Sequence, residues 1–186
     1  DVNGNLLTCT DAEGNVTSYT YDEEDRLLKI ADSEGTLCTY TCDAAGRVLT
    51  QADGEGNTTS YAYDTDGNLL TLTDPNGGVT QYTYNRDGTL QTLKNAEGDI
   101  TKYTCDAAGR QTSVTNPLNA VTAYEYDTAG NLLSITDPLG ETSSYTYNEY
   151  GENIAYTDAN GNTQLYEYDD CGRQTSSEDA LGNTTA

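Results

Sequence analysis

The sequence lacks four side-chain types altogether: its 186 residues include no His, Met, Trp or Phe. Without His, the commonest general base and metal ligand is missing. Basic residues are scarce, with eight Lys or Arg against 31 Asp or Glu and a net charge of −23. Lys and Arg supply most of the affinity for nucleic acids and anionic lipids. We therefore expect no nucleic-acid partner. We also expect no membrane insertion, because no apolar run approaches the roughly 20 residues of a membrane helix.

What the sequence does contain is a repeat of 21 residues, which is visible in its tyrosines. Each copy begins with Tyr-x-Tyr/Cys-Asp/Asn, and the first Tyr of each copy is Tyr19, Tyr40, Tyr61, Tyr82, Tyr103, Tyr124, Tyr145 or Tyr166. Eight full repeats occupy residues 19–186, and residues 1–18 correspond to the last 18 positions of the same repeat. We interpret residues 1–186 as a single array with no second domain. Because the chain begins at Asp1 rather than Met, we expect it to be a fragment of a longer protein.

Two turn signals divide every repeat. In each, an Asp or Asn is followed three residues later by Gly, except where Asp25 and Asn119 replace it, and the first-turn glycines include Gly46, Gly67, Gly109 and Gly130. Such an Asp accepts hydrogen bonds from its own turn, and Gly adopts the left-handed conformation. Stretches such as Asn68–Thr73 lie between the turns and have strand composition and length. The sequence therefore predicts an all-β fold, a continuous antiparallel meander of β-hairpins with about 17 strands. A sheet this long is expected to curl.

The odd repeat length constrains how the hairpins pair. Side chains alternate between the faces of a strand, so a repeat of 21 residues keeps Tyr on one face only if a residue is added somewhere. We expect one of the two turns to add it, as a Gly bulge. This predicts one shared face in each hairpin, with Thr and one further Leu or Val on the other face. The shared-face sets are Tyr19, Tyr21, Leu28 and Ile30, and Tyr61, Tyr63, Leu70 and Leu72; the further Leu or Val is Leu27, Val48, Leu69, Leu90 or Leu132.

The Asp and Tyr columns each allow a structural and a binding interpretation. Asp64-Thr-Asp66-Gly67 begins like a calcium loop, but no downstream Glu completes it, and Asn85 and Asn148 replace Asp in other copies. The turn interpretation is favoured, and no metal or cofactor is predicted. Tyr suits a strand because it buries its ring and leaves its hydroxyl exposed to solvent. Repeated rings, for which we take Tyr124 and Tyr126 as the test pair, also suit a face that stacks on glycans.

The five cysteines form no disulfide pattern. Cys38 and Cys42 lie four residues apart on one predicted strand, about 13 Å, which is too far for a bridge. Cys42 and Cys105 take the place of a Tyr. We predict free thiols that act as small apolar fillers. A Cys nucleophile would need a base, and the sequence has no His, so no catalytic residue is predicted.

The repeat resembles a known family. Tyr61–Gly77, with the run Tyr-Ala-Tyr-Asp-Thr-Asp-Gly-Asn-Leu-Leu, is similar to the YD repeat of Rhs (rearrangement-hotspot) proteins, wall-associated bacterial toxins and teneurins. The resemblance covers the whole chain. It implies a hairpin ribbon wound in a spiral that forms the wall of a hollow shell. In bacterial members the shell encloses a C-terminal toxin domain, and in teneurins it belongs to an adhesion receptor.

The resemblance also supplies expectations about partners and location. It implies that the chain contacts a C-terminal toxin or effector domain, or neighbouring repeats of the parent chain, in a secreted or bacterial cell-surface protein. Asp137-Pro-Leu-Gly140 is similar to the Asp-Pro-x-Gly that closes the Rhs core, where the Asp assists self-cleavage. Here it falls in the ordinary second-turn position, shared with Asp74-Pro75, so a plain turn is favoured.

These observations predict a non-catalytic structural segment, part of a β-shell that encapsulates or displays an attached domain. The alternative is a cell-surface binding module that recognises glycan or a partner protein through its Tyr-lined face. Uncapped strand edges at both ends would favour pairing with further strands.

Overall fold

The computed structural model describes residues 1–185. It contains 18 β-strands, and no helix occurs in this range. The strands are β1 (Thr8–Thr10), β2 (Val16–Tyr21), β3 (Leu27–Ala31), β4 (Thr36–Cys42), β5 (Val48–Asp53), β6 (Thr58–Tyr63), β7 (Leu69–Thr73), β8 (Val79–Tyr84), β9 (Leu90–Lys94), β10 (Ile100–Cys105), β11 (Gln111–Thr115), β12 (Val121–Tyr126), β13 (Leu132–Thr136), β14 (Thr142–Tyr147), β15 (Asn153–Thr157), β16 (Thr163–Tyr168), β17 (Gln174–Glu178) and β18 (Thr184–Thr185).

The strands belong to two compact units. One comprises residues 1–88 and 92–99, and the other comprises residues 89–91 and the chain from Ile100 onward. In the first unit each strand from β1 to β8 pairs antiparallel with the next. In the second unit the strands from β10 to β18 pair in the same way. The predicted all-β antiparallel meander is confirmed. A helix able to cross a bilayer is not found within residues 1–185.

Both turns of the repeat use the same five-residue geometry, except at Asp32, whose amide donates to the Gly35 carbonyl and closes a four-residue turn. In the first-turn example, the Asp64 amide donates to the Asn68 carbonyl (2.9 Å), and the Gly67 amide donates to the Asp64 carbonyl (3.2 Å). The second-turn example, Asp53 to Asn57, repeats both bonds, with the closing bond at 3.1 Å. Gly67 has φ of 95°. That conformation is costly for most residues, which explains the glycine columns.

The residue that makes the repeat odd lies in a strand rather than in a turn. Ala62 pairs with Thr71, but Tyr63 pairs with Leu69, so Leu70 is left as a bulge. The same shift, next to the second Tyr or Cys, recurs in the other hairpins of this type. The expectation that a turn adds the residue is wrong, because both turns close in the same way.

The bulge also corrects the predicted faces. Tyr61 pairs with Leu72, as expected for residues that share a face. The second Tyr, however, pairs with the first Leu of the next strand: Tyr63 with Leu69, and Tyr21 with Leu27. The assignment of Leu70 and Leu28 to the Tyr face, with Leu69 and Leu27 opposite, is therefore wrong.

No side chain in residues 1–185 is fully buried. The apolar residues are instead half-buried in columns that run from strand to strand. Because every contact joins near neighbours in the chain, stability is expected to be a sum of similar local terms, as in other repeat arrays.

Candidate functional site

The first Tyr of each repeat, which sequence singles out, pairs across a hairpin with a residue of the following strand. Tyr61 pairs with Leu72, Tyr124 with Ile135, and Tyr145 with Tyr156, whose ring centroid lies 5.2 Å from that of Tyr145. Tyr19, Tyr40, Tyr103 and Tyr166 pair in the same register, and Tyr82 lies on β8. These rings are spread evenly along the strands and do not converge on one site.

In five repeats the second Tyr links that repeat to the one before it. Its hydroxyl donates to the backbone carbonyl 15 residues earlier: Tyr63 to Val48 at 3.0 Å, and Tyr126 to Gln111 at 2.9 Å. The same bond joins Tyr21 to Leu6, Tyr84 to Leu69, and Tyr168 to Asn153. Burial of the ring raises the pKa of the Tyr84 phenol. These hydroxyls therefore donate their hydrogen bonds within the protein and stabilise the fold.

We call the position after the Gly column of the first turn the staple position, where Arg26, Arg47 and Arg110 link a repeat to the one that follows. Arg47 Nη2 lies 2.7 Å from its own turn's Asp43 Oδ2, and Arg47 Nη1 donates to the Asp64 carbonyl at 3.0 Å. The guanidinium also lies 5.0 Å from the centroid of the Tyr63 ring. Such stacking combines a cation–π contact with hydrogen bonding.

A second staple is built in the same way. Arg110 pairs with Asp106, donates to the Asp127 carbonyl at 2.7 Å, and lies 5.0 Å from the centre of the Tyr126 ring. The eight staple positions are Arg26, Arg47, Asn68, Thr89, Arg110, Asn131, Glu152 and Arg173. Sequence reasoning misses their role, although four Arg at multiples of the repeat length are a readable signal.

Two repeats have Cys in place of the second Tyr, and the one with Cys42 shows the space that the ring fills elsewhere. Cys42 pairs with Val48, as Tyr63 pairs with Leu69. A cavity of about 400 Å³ opens beside it, lined by Arg26, Leu27, Tyr40, Cys42, Gly46 and Val48. All five cysteines, which lie within the described residues, are free, as predicted.

The turn carboxylates accept hydrogen bonds from residues of their own turns. The Asn57 side chain donates to Asp53 Oδ2 at 2.8 Å, and the amides of Glu55 and Asn57 donate to Oδ1. These bonds, the Asn57 side-chain bond first, hold the pKa of Asp53 below its ordinary value. Across residues 1–185, no three Cys, Asp or Glu side chains are grouped so as to hold a metal ion.

The turn interpretation is confirmed where a calcium loop or a protease motif was the alternative. At Asp64, the amides of Asp66 and Asn68 donate to Oδ1 at 2.9 and 2.8 Å. At Asp137, the amides of Leu139 and Glu141 donate to Oδ1 at 2.8 and 2.9 Å. The two carboxylates thus act as turn caps.

Family comparison agrees with the repeat geometry. The RHS Repeat model matches residues 106–142, 126–152 and 153–184. The Teneurin YD-shell model matches residues 1–114, more than half of the sequence. The chain belongs to the YD/Rhs repeat family. This YD-repeat chain is a structural repeat region of that family, and the resemblance read from its Tyr and Asp columns is confirmed. No curated protein matches it.

Solved structures show the same fold. The crystal structure of TcdB2-TccC3-TEV matches 96% of the YD-repeat chain with a TM-score of 0.79 at 18% identity. The crystal structure of TcdB2-TccC3-Cdc42 matches 99% with a TM-score of 0.77 at 17% identity. The Tc holotoxin pore of Photorhabdus luminescens matches 100% with a TM-score of 0.64 at 18% identity. The chain spans only 11%, 12% and 15% of those three chains.

The Tyr-lined binding face stays a prediction. In the YD-repeat chain, Tyr124 pairs with Ile135, and the ring of Tyr126 is stacked by Arg110. A glycan would have to compete with that guanidinium for the Tyr126 ring.

Proposed function

We propose that this YD-repeat chain is a non-catalytic wall segment of a shell that encloses an attached toxin or effector domain. The observation that carries the proposal is uniformity. The first-turn hairpins share one bulge, and both kinds of turn share one five-residue geometry apart from the turn at Asp32. A catalytic site depends on one unit that differs from the rest, whereas a wall depends on units that are alike.

The contacts between repeats suit this role. The second Tyr reaches back to the preceding repeat, and the staple Arg reaches forward to the next. Five tyrosines and three arginines thus tie neighbouring repeats together by side-chain hydrogen bonds to backbone carbonyls. Such ties hold a thin layer of strands together without a buried core.

The proposed partners are neighbouring repeats of a parent chain and the domain that the shell encloses. The family match and the fold shared with TcdB2-TccC3 structures support this assignment, together with a secreted or cell-surface location. No nucleic acid is proposed as a partner, because the net charge is −23.

Limited proteolysis of the full natural polypeptide tests the proposal. If this segment is shell wall, the enclosed domain resists protease, and Gly67→Val exposes it because valine strains the turn at φ of 95°. Leu118→Ser, at an exposed second turn, is the matched control and should leave protection intact. A domain cleaved equally fast in the wild type and in Gly67→Val would refute enclosure.

A further inference from the structure

One staple position carries the opposite charge. Where Arg47 and Arg110 place a guanidinium, the seventh full repeat has Glu152, the only acidic residue among the eight staple positions. The substitution keeps the geometry. A β-carbon on Gly67 would lie 3.6 Å from Arg47 Nη1, and one on Gly172 would lie 3.0 Å from Glu152 Oε1. A carboxylate oxygen therefore occupies the place of a guanidinium nitrogen.

The ring that a staple Arg would cover is also in place. The Tyr168 hydroxyl donates to the Asn153 carbonyl at 2.9 Å, as Tyr63 donates to Val48 and Tyr126 to Gln111. The Tyr168 ring is therefore held like the two rings that carry a stacked guanidinium. Its staple residue is a carboxylate, which cannot make a cation–π contact.

A cavity of about 410 Å³ occupies this place. It is lined by Asn148, Tyr150, Glu152, Tyr168, Asp169 and Asp170. The chain's own nearby cation, Arg173, pairs with one of these lining residues: its Nη2 lies 2.7 Å from Asp169 Oδ2, and the Arg173 side chain is 77% exposed. Glu152 and Asp170 supply the remaining negative charge of the cavity.

The polar contacts of Glu152 leave one carboxylate oxygen directed into this region. Asn148 Nδ2 donates to Glu152 Oε2 at 2.6 Å, which fixes the carboxylate. The other oxygen, Oε1, lies toward Gly172. In the Arg repeats, the corresponding space holds a donor to the first-turn carbonyl, as Arg47 donates to Asp64. Here the Asp169 carbonyl accepts from the Gly172 amide at 2.9 Å, and the Glu152 carboxylate, itself an acceptor, stands where an Arg would supply a second donor.

We propose that the cavity at Glu152 and Tyr168 binds the guanidinium of an arginine side chain presented by a partner peptide. The planar guanidinium stacks on the Tyr168 ring, as Arg47 stacks on Tyr63, and donates to Glu152 Oε1 and the Asp169 carbonyl. The net charge of −23 attracts a basic segment from a distance. This inference does not depend on enclosure by a shell.

The corresponding cavity in an earlier repeat is less suited to a cation. It lies at Tyr84, has the neutral Asn68 at the staple position, and is lined by the chain's own Arg86. The Glu152 cavity is therefore the stronger candidate.

NMR titration of the chain with N-acetyl-arginine amide tests the proposal. We expect saturable shifts of the Asp170 and Gly172 amides with a Kd on the order of a millimolar. Glu152→Gln should weaken binding about tenfold, because a charge-assisted hydrogen bond is lost. Glu97→Gln removes the same charge at an exposed turn far along the sequence and should leave the affinity unchanged. N-acetyl-citrulline amide, which has the same shape without the charge, should not bind.

Two further variants separate a binding site from a general attraction. Glu152→Arg supplies the guanidinium from within the chain and should abolish binding. Arg47→Glu re-creates the same arrangement at Tyr63 and should add a second site. The proposal is overturned if citrulline amide or N-acetyl-lysine amide binds as tightly as the arginine probe, if Glu152→Gln binds like the wild type, or if shifts spread over the whole chain without saturation.

Discussion

Replacing Cys42 by Tyr tests whether the second Tyr position is a stabilising link between repeats. In the wild type a cavity of about 400 Å³ lies where the ring of Tyr63 or Tyr126 sits in other repeats. In Cys42→Tyr we expect the new ring to fill this space. Its hydroxyl should reach the Leu27 carbonyl, 15 residues earlier, and Arg26 should stack on it as Arg47 stacks on Tyr63.

The size of the effect follows from the apolar surface that the new ring buries and from its hydrogen bond. A half-buried ring removes about 100 Å² of apolar surface from water, worth about 2 kcal/mol at about 25 cal/mol per Å². The hydrogen bond adds about 1 kcal/mol. Ordering the side chain and losing the packing of the Cys42 thiol subtract about 1.5 kcal/mol together. The free energy of unfolding should therefore rise by about 1.5 kcal/mol, or about 3 to 6 °C in Tm for a chain of this size.

Thermal and urea unfolding followed by far-UV circular dichroism measure the change. Hydrogen exchange of the β4 and β5 amides shows whether the gain is local. Cys105→Tyr should stabilise less, because Thr89 rather than Arg occupies its staple position, and Cys171→Tyr at an exposed turn should have no effect. If Cys42→Tyr leaves Tm unchanged or lowers it, the second Tyr is not the link described above.

Three other perturbations have defined outcomes. Asn153→Leu should raise Tm, with a gain of about 1 kcal/mol, because Asn153 Oδ1 is buried without a hydrogen-bond partner. Tyr84→Phe should lose about 1 kcal/mol with its bond to the Leu69 carbonyl, whereas Tyr150→Phe, 81% exposed, should lose nothing. Hydrogen bonds to turn carboxylates such as Asp53 depress their pKa, so their stabilisation is complete at neutral pH and is lost as pH falls through the depressed values.

The pH prediction has a second part, because the net charge acts in the opposite direction. Protonation of carboxylates on the chain relieves the repulsion of 23 excess negative charges. Urea unfolding across the acid range should therefore show a stability maximum near pH 4 to 5, about the ordinary pKa of Asp and Glu. A steady rise in stability down to pH 2 would show that the turn bonds contribute nothing.

Sequence predicts the repeated elements well because each depends on local chemistry. Asp and Gly specify the turns, and β-branched and aromatic residues specify the strands, so the meander and the turn role of Asp64 and Asp137 could be inferred. The bulge at Leu70 could not, because an odd repeat requires one extra residue but does not say where. Its position is set by pairing between strands, which places Leu69 rather than Leu70 opposite Tyr63.

The contacts of the staple Arg residues could not be predicted from the sequence for a related reason. Arg47 contacts Tyr63 and the Asp64 carbonyl across a hairpin, and only the strand register shows that residues 16 and 17 apart meet. Once that register is known, Glu152 stands out because it occupies the Arg position beside the Tyr168 ring, on which no guanidinium is stacked. The same Glu in the sequence alone resembles any surface acid.

The fixed separations of these contacts bear on how such a chain lengthens in evolution. Each Tyr hydroxyl that links two repeats reaches back 15 residues, and the guanidinium groups of Arg26, Arg47 and Arg110 reach forward 17. Duplication of one whole repeat therefore restores every bond at both junctions, and a gene can grow or shrink by that step without new compensating mutations. An insertion or deletion whose length is not a multiple of 21 residues separates these partners from their register.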